Sequence, residues 1–227
     1  VGWVVVGGGG WVGCGLWWLC FFLMVRRPPR STLFPDTPLF RSVLWLLEEL
    51  QLAYEREDYG RQFGNTGDEE YLSLNPTGKV PTLIDGDNVI WESNTILRYL
   101  CSKTGSELLL EDPVVRSSCE TWMDWLLASL NTNYLEMFKE TKKPEEERSP
   151  KLPEMSKALG AQLGILDGHL GANEWVGGAV MTVADIALGP ICNRCLSFPV
   201  ELPGLTNIDR WHKTISARPA YQKVVAA

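Results

Sequence analysis

Residues 75–100 read Asn75-Pro-Thr-Gly-Lys-Val-Pro-Thr-Leu-Ile-Asp-Gly-Asp-Asn-Val-Ile-Trp-Glu-Ser-Asn-Thr-Ile-Leu-Arg-Tyr-Leu100, and the fold follows from this stretch. Two β-rich runs, Val80-Pro81-Thr82-Leu83-Ile84-Asp85 and Val89-Ile90-Trp91-Glu92, flank the turn-forming Gly86-Asp87-Asn88 and predict a hairpin. Pro81 is tolerated at the first residue of a strand, where no ladder bond is lost. Ser93 is expected to cap a helix from Asn94 to about Ser102. Ile96, Leu97 and Leu100 recur there at helical spacing, and Lys103-Thr-Gly105 ends the run.

On the N-terminal side, apolar residues at 43, 46, 47 and 50 predict a helix with one buried stripe, beginning at about Val43. Ala53 to Glu57 reads as a short strand, 58–68 as a Gly-rich polar loop and Glu69 to Leu74 as a helical turn closed by Asn75-Pro-Thr-Gly78. On the C-terminal side the period stays near 3.6. Val115, Cys119, Trp122, Met123, Leu126, Leu127, Leu130 and Tyr134 mark one long helix from Pro113. A charged linker, Lys142 to Pro150, follows. Three more helices are expected, through Met155–Leu170, Thr182–Leu196 and Leu205–Ser216. The chain thus divides into an α/β unit over 43–105 and an all-helical unit over 110–227.

Thr182-Val-Ala-Asp185 has the form of a capping box, with Met181 and Ile186 placed as a hydrophobic staple, and its expected role is structural. Cys192-Asn-Arg-Cys195 falls inside a helix of the helical unit. A redox pair sits instead at a helix start after a strand, where the dipole lowers the thiol pKa, so none is expected here. Cys101 and Cys119 read as small core hydrophobes, and Trp122 and Trp125 as core or pocket wall.

Charge is uneven along the chain. Residues 1–42 hold four arginines and one aspartate, leaving 17 basic against 27 acidic residues over 43–227. An acidic body lacks the basic surface a phosphate backbone needs, so no nucleic-acid partner is expected. The two histidines, His169 and His212, show no metal-ligand spacing, and no metal is expected.

Residues 1–25 carry no charge and have the length and apolarity of a membrane span, with Arg26-Arg27 as a flank. Phe21 to Ser42 resembles one reading frame of a translated sequencing adapter, departing from it only at Val25, Asp36 and Pro38. On that resemblance 1–42 is expected to be non-native and is set apart from the fold, with no membrane association expected.

The 75–100 stretch, together with the opening Val43–Leu50 helix, the two-unit order and the closing Ala217-Arg-Pro-Ala-Tyr221, resembles the cytosolic glutathione S-transferase family of bacterial type. The resemblance implies an α/β thioredoxin-like N-terminal domain, its first strand missing or replaced, followed by an all-α C-terminal domain. It implies a cis Pro81 that turns the Val80 backbone outward to pair with the cysteinyl main chain of glutathione. Lys79 would meet the glycyl carboxylate, Glu92 the γ-glutamyl ammonium and Ser93 the γ-glutamyl carboxylate. The expected activity is glutathione transfer to small electrophiles, conjugating or reducing them, with glutathione as co-substrate, in a cytoplasmic homodimer serving detoxification. The alternative is a non-catalytic binding module on the same fold. The thiol-activating residue is unknown. Its expected place, roughly 35–42, falls in the adapter-like run, where Thr37 and Ser42 offer hydroxyls by accident, so an impaired chain is expected. Ser31-Thr-Leu-Phe34 is β-prone and is expected to stand in as the first strand, with 1–20 a loosely packed extension.

Overall fold

The computed structural model describes residues 21–22, 38–57, 59–60 and 64–226. A four-stranded sheet is built from β1 (Phe21–Phe22), β2 (Tyr54–Glu55), β3 (Thr82–Asp85) and β4 (Asn88–Trp91), in the order β2-β1-β3-β4. β1 runs parallel to β2 and antiparallel to β3, and β3–β4 is the expected hairpin, with Asp85 opposite Asn88 and Thr82 opposite Trp91. Its turn is shorter than predicted. Gly86, at φ +60°, fills the first central position, where a type II′ turn requires glycine.

The place between β2 and β3 is taken by Phe21–Phe22 and not by 31–34, a correction to the expected first strand. A two-residue strand shows no periodicity by which one β-prone run could be preferred to another. Residues 1–20 and 31–34 lie outside the described residues.

Helix α1 (Pro38–Glu49) also begins earlier than expected. Proline is favoured in a first helical turn, where its missing N–H would have had no partner, and Phe40 extends the apolar stripe of Val43, Leu44 and Leu47 by one turn. Val43, Trp45, Leu46 and Leu47 are fully buried, each worth about 1.5–3 kcal/mol of transfer free energy. A short α2 (Glu69–Leu74) precedes the hairpin, and α3 (Ser93–Thr104) follows it, closed by Gly105 in the left-handed conformation.

The predicted long helix is realised as α4 (Pro113–Trp125) and α5 (Asn131–Thr141), joined by a π-helical turn at Leu126–Leu130. Asp112 caps α4, its carboxylate accepting from the Val114 and Val115 N–H groups. α6 (Leu152–Ala172), α7 (Val183–Leu196), α8 (Thr206–Ser216) and a terminal turn α9 (Pro219–Tyr221) complete the helical domain.

α7 is the central helix. Apolar on all sides, it is buried from Val183 to Cys192 against α1, α3, α4 and α8. Thr182 and Asp185 form the expected box. The carboxylate accepts from the Thr182 N–H at 2.8 Å and from its hydroxyl at 3.1 Å, and also from the Val176 N–H and the Trp211 indole, both at 2.8 Å. Burial pushes the Asp185 carboxyl above its ordinary pKa even against these four donors. Cys192 and Cys195 are free and fully buried on α7, and burial pushes the Cys192 thiol up to about 12. A thiol that stays protonated is no redox nucleophile.

Candidate functional site

The hairpin register assembles the site. Since Thr82 faces Trp91, residues 80–81 and 92–93 continue from the same end of the β3–β4 pair. The Val80–Pro81 peptide bond is cis, as the family resemblance implies. No described residue hydrogen-bonds the Val80 N–H or C=O, so the backbone just before β3 keeps an unpaired donor and acceptor. Lys79 and Glu92 are exposed beside it, while Pro81 and Ser93 are buried.

One local expectation fails. Ser93 does not cap α3. The helix already begins at Ser93, and Glu92 occupies the cap position at φ +69° without a side-chain cap bond. The left-handed backbone at Glu92 turns the chain out of β4 one residue early. Ser93 therefore sits in the first turn, where backbone N–H groups have no intrahelical acceptor, and no described residue bonds its hydroxyl. A helix N-terminus with free amides and a free hydroxyl is a site for a carboxylate.

A polar network lies behind the rim. The Tyr71 hydroxyl donates to the Lys79 carbonyl at 2.6 Å, and the Asn75 amide donates to the same carbonyl at 2.7 Å and to the Thr82 hydroxyl at 3.1 Å. With its own proton committed to Lys79, Tyr71 receives the Thr82 hydroxyl at 2.9 Å, closing a ring. Burial raises the Tyr71 pKa, keeping it a donor. Asn75 Oδ1 meanwhile accepts from the Thr77 N–H and hydroxyl at 3.1 and 2.7 Å. Sequence reasoning missed both residues. Tyr71 looks like an ordinary core aromatic, but Asn75-Pro76-Thr77 has the form of an Asx turn, which could have drawn attention to Asn75.

Asn94 ties this end of α3 to the helical domain, its amide donating 2.8 Å to the Met123 carbonyl of α4. A cavity of about 450 Å³ lined by Ser106, Leu109, Leu110 and Arg116 lies at the opposite end of α3 and takes no part in the rim. Ser42 is buried on α1, away from the hairpin that carries the rim, and Thr37 lies outside the described residues.

An unpaired backbone N–H and C=O, a helix N-terminus and an exposed carboxylate suit a peptide-like ligand with a zwitterionic end. The comparisons agree with that class. The family model of the glutathione S-transferase N-terminal domain matches residues 33–102 and that of the C-terminal domain residues 129–219. Glutathione S-transferase GstB of Escherichia coli K12 is 35% identical over 190 residues, covering 82% of this chain and 91% of that protein. Glutathione S-transferase 3 of Zea mays is 30% identical over 203 residues, covering 85% and 91%. The theta class glutathione S-transferase of Xanthomonas axonopodis pv. citri, solved with glutathione bound, superposes with a TM-score of 0.82 at 29% identity, covering 92% of this chain and 98% of that one. The chain belongs to the glutathione S-transferase family.

Proposed function

We propose that this chain binds glutathione along the Val80 rim and that its parent transfers the glutathione sulfur to small electrophiles, conjugating or reducing them. The observation that carries the reading is the unpaired Val80 backbone at the same hairpin end as Ser93 and the first turn of α3. The cysteinyl main chain would add as a strand to Val80. Ser93 and the α3 amides would take the γ-glutamyl carboxylate, Glu92 its ammonium and Lys79 the glycyl carboxylate. In conjugation the glutathione thiol first gives its proton to solvent, so the protein must hold a thiolate near neutral pH. The thiolate then forms a C–S bond at the electrophilic carbon while that carbon's bond to its leaving group breaks. The group departs with the electron pair, as chloride does from a chloroarene. Support comes from the Xanthomonas relative, which was crystallised with glutathione.

The domains are proposed as 43–105 and 110–227, with 21–42 of adapter origin although its last residues serve as the first turn of α1. The native thiol-activating residue would have stood in that segment, so this chain should bind glutathione and turn over poorly. We place the parent in the cytoplasm as a homodimer. Among the described residues no helix is long and apolar enough to cross a membrane.

The test has two arms. Titration calorimetry should show glutathione binding that weakens on the order of tenfold in Ser93→Ala and in Glu92→Gln, each losing a charge-assisted contact. Replacing 1–42 by the corresponding segment of the E. coli relative should raise turnover of chlorodinitrobenzene by at least about a hundredfold, the scale of removing one oxyanion-type donor. Equal affinity in the variants removes the binding reading, and unchanged turnover in the chimera removes the impairment. The second reading, a non-catalytic module, is favoured by the elongation factor 1-gamma of Prunus avium, 32% identical over 174 residues but spanned for only 38% of its length. Glutathione binding without turnover in the chimera would select it.

A further inference from the structure

The ring of hydrogen bonds behind the rim fixes a direction. A trans peptide is planar, and its C=O and N–H point opposite ways. Among the described residues the one cis bond is Val80–Pro81, so the Lys79–Val80 peptide is trans. Its carbonyl receives two donors, Tyr71 Oη at 2.6 Å and Asn75 Nδ2 at 2.7 Å, which occupy both lone pairs. Pinned toward α2 from both sides, that carbonyl forces the Val80 N–H to point away from α2, at the N-terminal end of β3. On the far side of Pro81, the Thr82 hydroxyl belongs to the same ring, so the rim is held at both ends.

We propose that Tyr71 and Asn75 are positioning residues that aim the Val80 N–H at the ligand's cysteinyl carbonyl, an inference that rests on glutathione lying along the rim. Neither side chain touches the ligand. Both act through one peptide plane. Tyr71 is 2% exposed and stacks on Tyr59 at 5.0 Å, and Asn75 is 2% exposed, so the brace stands clear of solvent and does not exchange its bonds for water. Ring closure is the strongest support. Each donor in it has an acceptor, and Asn75 makes all four of the bonds an amide side chain can make.

Three variants test this. Tyr71→Phe keeps the ring and deletes the hydroxyl. Asn75→Asp keeps the acceptor that holds Thr77 while removing both donors. The third combines them. Each is titrated with glutathione and with an analogue whose cysteinyl carbonyl is a thiocarbonyl, a poor hydrogen-bond acceptor, and thermal unfolding is followed in parallel. The unaltered chain should bind the analogue about tenfold more weakly than glutathione, the size of one good hydrogen bond. The double variant should bind glutathione about tenfold more weakly and lose at most about twofold further on the thiocarbonyl exchange, because its Val80 N–H is no longer aimed. A role confined to stability would lower the melting point and leave the thiocarbonyl penalty intact, which overturns the proposal. Should the double variant be too unstable to assay, Tyr71→Phe alone must show a reduced penalty, and an unreduced one is equally fatal. If the unaltered chain binds neither compound, the glutathione reading itself falls and takes this inference with it.

Discussion

At the scale of single residues, the most consequential side chain outside the rim is Asp185. It gathers two backbone N–H groups, an indole N–H and a hydroxyl from three separate places in the chain, Val176, Thr182 and Trp211. Burial of an ionised carboxylate is costly, and the raised pKa records that the four bonds do not fully offset it. Removing the group is worse still, because three buried N–H donors then have no acceptor. Asp185→Ala is expected to cost about 3 kcal/mol in urea unfolding at neutral pH. A loss below about 1 kcal/mol would mean that water replaces the carboxylate and that the network is not closed. Legibility at this scale was mixed. The Thr182–Asp185 pair could be read from spacing alone, since a capping box is local, whereas its third and fourth donors come from parts of the chain nine and twenty-six residues away. Ser93 shows the opposite failure. Its helix-start position was visible in the sequence, but the left-handed turn at Glu92 that makes it the first helical residue was not.

At the scale of elements, α7 approaches α1 through a glycine. A Cβ built on Gly189 would lie 2.7 Å from the Trp45 ring and 2.9 Å from Ile215 Cδ1, and Trp45 is fully buried with nowhere to swing. Two effects compete in Gly189→Ala. Alanine favours the helix by about 0.5–1 kcal/mol. Overpacking a rigid interface costs about 1–3 kcal/mol. The clash should win, giving a net loss of about 1–2 kcal/mol by calorimetric or chemical unfolding, and a stabilised variant would show the interface to be slack. Elements of this length were legible because they repeat. Ile96, Leu97 and Leu100 mark α3, and the β3–β4 hairpin declares itself through its turn. The π-helical turn at Leu126–Leu130 leaves the apolar spacing around it nearly unchanged, so the sequence reads one long helix where the structure has two joined ones. The central strand escaped for the reason of length already given, and α1 escaped in part because its first turn was set aside with the adapter-like residues.

At the scale of the whole molecule, the C-terminus returns to clamp the first helix. Arg218 makes a two-pronged contact with Glu49, Nε to Oε1 at 2.6 Å and Nη2 to Oε2 at 2.7 Å, and Trp45 donates to the same Oε1 at 2.8 Å. Tyr221 meets Trp45 edge-on with ring centroids 4.8 Å apart, and Lys223 reaches Glu48 at 2.7 Å. Burial alone would raise the Glu49 carboxyl, but the Arg218 and Trp45 hydrogen bonds and the Arg218 charge together hold it below its ordinary value of 4.5. A depressed folded pKa stabilises the native state above the unfolded value, and that contribution fades as pH falls through the folded one. Arg218 is 39% exposed, so solvent screens the pair and the full Coulomb figure does not apply. A double-mutant cycle on Glu49→Gln and Arg218→Met should give a coupling of about 1 kcal/mol near pH 7, above the median for surface pairs because the fork is bidentate. The coupling should shrink in molar salt and fall away at a pH below the folded Glu49 value. A cycle that stays at full strength in acid would assign the contact to shape and packing, since a protonated Glu49 has lost the charge that attracts Arg218.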